Sequence, residues 1–146
     1  MTPDNGAELE SRVITTQAKA GVLKCRTLSA PPALREIISA DMLLVGYPQD
    51  YINGVMLAIS TAYEDIYRRT YLKQARPLIE IHYHVSRDKV TAALYGAEQI
   101  YEKRHFDPVH DLDATIEGEL EIMTIKSYST RRTVISNGSG VLLEFE

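Results

Sequence analysis

The stretch from Asp50 to Leu72, DYINGVMLAISTAYEDIYRRTYL, constrains this chain more than any other. Its apolar residues Ile52, Val55, Met56, Ile59, Ala62, Tyr63, Ile66, Tyr67 and Tyr71 recur at three- and four-residue steps. That is the stripe of an amphipathic helix about six turns long, and one side of it must be buried. Ile59, mid-stripe, is expected to be fully buried. Thr61 and Asp65 lie four apart on a flank, with Arg68 and Arg69 beyond, so a polar row is expected over the middle of the helix. On that row a substitution of Asp65 is expected to cost little.

The surroundings of this helix follow from the flanking segments. Arg12–Gln17 and Val22–Leu28 are β-rich around an expected turn at Ala20-Gly21, and residues 1–10 read as a flexible terminus. Ser29 before Pro31-Pro32 has the form of a capped helix start, with Leu34, Ile37, Ile38, Met42 and Leu43 as the buried side and Gly46-Tyr47-Pro48 as the stop. After Arg76-Pro77 the period changes to two. Ile79, Ile81, Tyr83 and Val85 face one way, with Glu80, His82 and His84 the other, and Val90, Ala92 and Leu94 continue the pattern across an Arg87-Asp88 turn. A charged loop runs from Gly96 to Asp113. A third helix is expected from an Asp113 cap to about Tyr128, with Ile116, Leu120 and Met123 as its apolar line. Arg132–Ser136 and Val141–Phe145 close the chain as a hairpin across Asn137-Gly138-Ser139-Gly140. The order predicts an α+β two-layer sandwich in which helices cover one face of a largely antiparallel sheet and the other face stays open.

A chain of 146 residues fits a single domain that buries roughly two-thirds of its unfolded surface without disulfides or a metal. One cysteine, Cys25, cannot make an internal bridge, which points to a reducing cytoplasm. No leader and no apolar run of about 18 residues is apparent, so no membrane partner is expected. Acidic residues (20) outnumber Lys plus Arg (16), and the basic ones are scattered apart from Arg68-Arg69 and Arg131-Arg132, which disfavours nucleic acid.

The chemistry-bearing residues are few. Glu80, His82 and His84 share a strand face, but structural zinc takes four ligands and the single cysteine is remote in sequence, so no metal site is assigned. Cys25 reads as a small buried residue and not a nucleophile. Phosphate-loop, G-x-S-x-G and H-E-x-x-H motifs do not occur.

Taken in order, the segments resemble a known family. ALREIISADMLLVGYPQDYINGVMLAISTAYEDIYRR resembles the paired helices that open the GHKL (histidine-kinase-type ATPase) domain of bacterial anti-sigma serine kinases, where the second helix reads like LAVSEALTNAIRH. PLIEIHYHVSRDKVTAALYG is similar to the hairpin that follows, HFDP to the later GFDP, and GELEIMTIKSYSTRRTVISNGSGVLLEFE to the ending GRGLFLIRALMDEV...GGTEVRLVK. The similarity spans roughly Leu28 to Glu146 and implies a Bergerat-type fold.

The departures fall where the resemblance implies nucleotide chemistry. The family's general base and magnesium ligand, four apart on the second helix, fall on Thr61 and Asp65: the base is lost and an oxygen ligand is kept. A slip of three would offer Glu64 as base but put Arg68 at the metal position. The adenine-reading Asp falls on Gly96, its following glycine on Glu98, and the late phosphate-facing G-x-G on Glu117-Gly118-Glu119, where two carboxylates repel a triphosphate. The resemblance therefore implies a non-catalytic regulatory domain with an eroded ATP site and no cofactor. Its implied partner is a sigma factor or an anti-anti-sigma-like antagonist, and dimerisation is an accompanying expectation. Glu80, His82, His84 and Tyr95 are the expected partner surface. One alternative is an active ATP-dependent serine-protein kinase using Asp65 for magnesium and Glu64 or Glu98 as base. Another is a structural or assembly subunit that oligomerises through the open sheet face.

Overall fold

The computed structural model describes residues 7–14, 18–102, 106 and 119–146. The elements are β1 (Ala7–Ile14), β2 (Ala18–Cys25), α1 (Pro32–Val45), α2 (Gln49–Tyr71), β3 (Ile79–Ser86), β4 (Val90–Tyr95), α3 (Glu119–Tyr128), β5 (Arg131–Ile135) and β6 (Gly140–Phe145). The strands form one six-stranded sheet in the order β1-β2-β3-β4-β6-β5, with every neighbouring pair antiparallel. It is an α+β fold in which the helices pack on the sheet. Among the described residues no helix is long and apolar enough to cross a membrane.

The organising stripe forms as its spacing predicts. α2 is 23 residues long and buries Ile52, Val55, Met56, Ile59, Ala62, Tyr63, Ile66 and Tyr67. Tyr71 departs from the prediction: it is 60% exposed at the last turn and stacks on Tyr67 with ring centroids 6.4 Å apart. Facing the helices, Leu23, Cys25, Ile79, Ile81, Tyr83, Val85, Val90, Ala92, Leu94, Val141, Leu143 and Phe145 complete the core.

Several boundaries and phases differ from the sequence reading. β1 starts at Ala7, inside the stretch expected to be flexible, and the expected turn at Ala20-Gly21 lies mid-strand in β2. There Gly21 pairs with Arg12 on one side and Tyr83 on the other, so ladder bonds from both neighbours override a local turn signal. α1 starts at Pro32 with Pro31 as N-cap and no side-chain cap, so Ser29 does not serve. Its buried line is Ala33, Leu34, Ile38, Asp41 and Met42, while Leu43 is 53% exposed. Asp41 turns inward because the phenol of Tyr83 on β3 donates to its Oδ2 at 2.7 Å, supplying a buried hydroxyl with an acceptor. Gly46 ends α1 at φ 113, as a left-handed C-cap requires.

α3 shows a similar phase shift. The Asp113 cap and Ile116 lie outside the described residues, as does the side chain of Leu120. Ile122 and Ile125 are buried and Met123 is 38% exposed. α3 runs antiparallel to α2. Near one end a Cβ on Gly54 would come within 2.9 Å of the Tyr128 ring, and near the other Arg68 meets Glu121 at 3.2 Å.

The Asn137-Gly138 turn does more than close the last hairpin. Gly138, at φ 91, accepts hydrogen bonds at its carbonyl from the amides of Ile100 (2.8 Å) and Tyr101 (2.9 Å), and Ser139 accepts from Gly96. The turn thereby docks the segment after β4 and fixes where Tyr101 enters the core.

Candidate functional site

Asp65 is the centre of a polar cluster on α2. It is fully buried, not on a solvent-facing row as the sequence pattern implies. Arg68 donates to its Oδ1 at 2.7 Å and Arg69 to its Oδ2 at 2.8 Å, at the i+3 and i+4 spacings that place side chains on one helix face. The Tyr101 hydroxyl donates to the same Oδ2. Burial first, and then the Asp65 carboxylate, hold the Tyr101 phenol protonated well above its usual range, so it is a fixed donor. Arg69 also lies 5.2 Å from the centre of the Tyr101 ring, and Phe106 packs edge-on against that ring.

The charges in this cluster cancel. Arg68 reaches Glu121 on α3 as well, so two guanidiniums balance two carboxylates. Magnesium is held by carboxylate oxygens with free lone pairs in a near-octahedral shell. Both Asp65 oxygens already accept charge-assisted bonds, and the immediate cations would repel a divalent ion. The residues at this position do not fit a magnesium nucleotide. A cavity of about 330 Å³ beside the cluster is lined by Arg69, Leu72, Lys73, Gln99, Ile100, Tyr101 and Glu102, and Lys73 there donates to the Gln99 carbonyl at 2.5 Å.

The other nucleotide positions implied by the resemblance fall on α2, on the segment after β4 and at the start of α3. Thr61 is half-buried on α2 and carries no carboxylate. Glu64 is exposed, and its Oε2 accepts from the Ala30 amide at 3.1 Å, tying the linker before α1 to α2. Gly96 presses on the core: a Cβ there would meet Ile79 at 3.3 Å and the buried Thr70 hydroxyl at 3.4 Å, so an acidic side chain has little room. Glu98 is half-buried on the loop after β4. Glu117 and Gly118 lie outside the described residues, and Glu119 is described only as the first residue of α3.

On the other sheet face, Glu80, His82 and Tyr95 converge as β3–β4 pairing dictates. Tyr95 pairs with Glu80, placing its ring diagonally beside His82. The rings stack at 5.2 Å, and His82 Nε2 lies 2.7 Å from the Tyr95 hydroxyl and 3.1 Å from Glu80 Oε1. His84 is exposed one pleat further along the strand. Glu144 borders this face, bonded by Lys89, whose ammonium lowers its carboxyl below the usual range.

Tyr101 and Asp41 are the residues that sequence reasoning missed. Asp65-Arg68-Arg69 carried a visible i, i+3, i+4 signal for a self-contained ion pair, whereas nothing local marks Tyr101, which reaches Asp65 across 36 positions. No protein-family model matches the chain, and no curated protein matches it.

Proposed function

We propose that this chain is a cytoplasmic regulatory domain of the anti-sigma serine-kinase-like type that acts by binding a protein and no longer by transferring phosphate. One observation carries the reading: the carboxylate at the expected magnesium position is buried and held by Arg68, Arg69 and Tyr101. Gly96, in place of an adenine-reading acid, supports it further. A kinase would need Asp65 released from three donors and Glu64 released from Ala30, and each charge-assisted bond broken opposes that by about 1.5–3 kcal/mol. The partner surface in this reading is the open sheet face around Glu80, His82 and Tyr95, with His84 at its margin, a mixed aromatic and polar patch suited to a protein contact. The partner class is a sigma factor or its antagonist, with self-association through the same face as the accompanying state.

The test is co-elution of the purified chain with purified sigma factors and anti-anti-sigma proteins of its host, without nucleotide. A stoichiometric complex that weakens in the His82→Ala, Tyr95→Phe double variant supports the proposal. Serine phosphorylation of any of these proteins in the presence of ATP and magnesium contradicts it.

A further inference from the structure

A second cavity, about 350 Å³, opens at the end of the sheet where β2 and β4 leave and β3 enters. Its wall includes Arg26, Gln74, Arg76, Leu78, Tyr95 and Gly96, and none of the Asp65 cluster. Arg26 and Arg76 are brought together here, with the Arg26 Nη1 donating to the Arg76 carbonyl at 3.5 Å. Unlike Arg68, Arg69 and Arg131, neither has a carboxylate partner among the described residues. Glu80 also borders the cavity, but it is engaged by His82, and two guanidiniums oppose its single charge. The concave wall is therefore net positive.

The backbone adds a second observation. Arg76 sits at φ 56, a left-handed conformation uncommon outside glycine, immediately before Pro77, where sterics push a residue towards extended geometry. Strain of this kind persists where surrounding structure enforces it, and it gathers at ligand sites. Here it places Arg76 on the wall of a cavity that Arg26 also lines. Two planar forks of donors match the oxygens of a phosphate dianion, which supplies two negative charges to two cations. Leu78 and the Tyr95 ring add apolar surface, and the volume falls in the range of small-molecule pockets.

We propose that this cavity binds a phosphomonoester, with the phosphate between Arg26 and Arg76 and the organic part against Leu78 and Tyr95. The site is separate from the Asp65 cluster and does not depend on the regulatory reading above.

The test is titration of the isotope-labelled full chain with phenyl phosphate, and separately with inorganic phosphate, followed by amide chemical shifts. Saturable shifts at Gly96 and Ala97 are expected, with phenyl phosphate binding more tightly than inorganic phosphate. Affinity should fall about tenfold or more in Arg26→Gln and in Arg76→Asn, since each loses a charge-assisted pair, and stay unchanged in Arg35→Gln. Asn is chosen at position 76 because it tolerates the left-handed backbone, and unchanged shifts elsewhere report an intact fold. The proposal is overturned if no saturable shift appears, if binding is equally tight in the Arg26 and Arg76 variants, or if inorganic phosphate binds as well as phenyl phosphate.

Discussion

Replacing Asp65 by alanine separates the buried cluster from the polar row that the sequence pattern predicts. On a solvated row the change should cost under about 1 kcal/mol. In the structure it strips the acceptor from two guanidiniums and from a fully buried phenol. Removing one partner of a buried ion pair costs about 3–5 kcal/mol. Here the arginine side chains keep 34% and 21% of their exposure and recover some hydration, which lowers the expected loss to about 2–4 kcal/mol. That overlaps the range of about 2–5 kcal/mol for Ile59→Ala in the core. Urea unfolding of the wild type, Asp65→Ala and Ile59→Ala measures both, read as midpoint shifts at constant slope. A double-mutant cycle with Tyr101→Phe should give a coupling of about 1 kcal/mol, because the phenol loses its value once its acceptor is gone. A loss under about 1 kcal/mol for Asp65→Ala, or no coupling to Tyr101, would refute the assignment of Asp65 as the anchor of this region.

Gly138→Ala should destabilise the chain by about 1–3 kcal/mol, since φ 91 disfavours alanine and its Cβ would fall 2.4 Å from the Tyr101 carbonyl oxygen. Faster hydrogen exchange at the Ile100 and Tyr101 amides is the local readout. Burial pushes the Cys25 thiol from 9.0 up to about 12, so above pH 9 the unfolded chain ionises while the folded chain keeps its proton. Stability from this group is therefore full below pH 9 and falls by about 1.4 kcal/mol per pH unit above it, and Cys25→Ala should flatten the decline in urea unfolding between pH 8 and 10.

The parts of the fold that were legible are those carried by strict periodicity. Ile79 to Val85 and Val90 to Leu94 alternate cleanly because one sheet face is buried and the other is not, and α2 shows its stripe because it lies along the core. Where a polar group turns inward, periodicity misleads. Asp41 occupies a core position of α1 to serve Tyr83, and Asp65 leaves the expected row because its own helix supplies the cations that make burial tolerable. The Ala20-Gly21 turn failed for a different reason: small residues mark turns only when no neighbouring strand claims their backbone. The Glu80, His82 and Tyr95 cluster was within reach, since strand alternation and hairpin register place them together. Arg26 and Arg76 were not, because 50 positions separate them and only tertiary structure brings them to one cavity.

The most direct test of the central claim is calorimetric titration of the purified chain with ATP and magnesium. With the carboxylate at position 65 held by three donors and Gly96 in place of an adenine-reading acid, two or more charge-assisted bonds of about 1.5–3 kcal/mol each are missing, so no binding tighter than about millimolar is expected. A saturable isotherm with a micromolar Kd would contradict it and return the chain to the nucleotide-dependent enzymes.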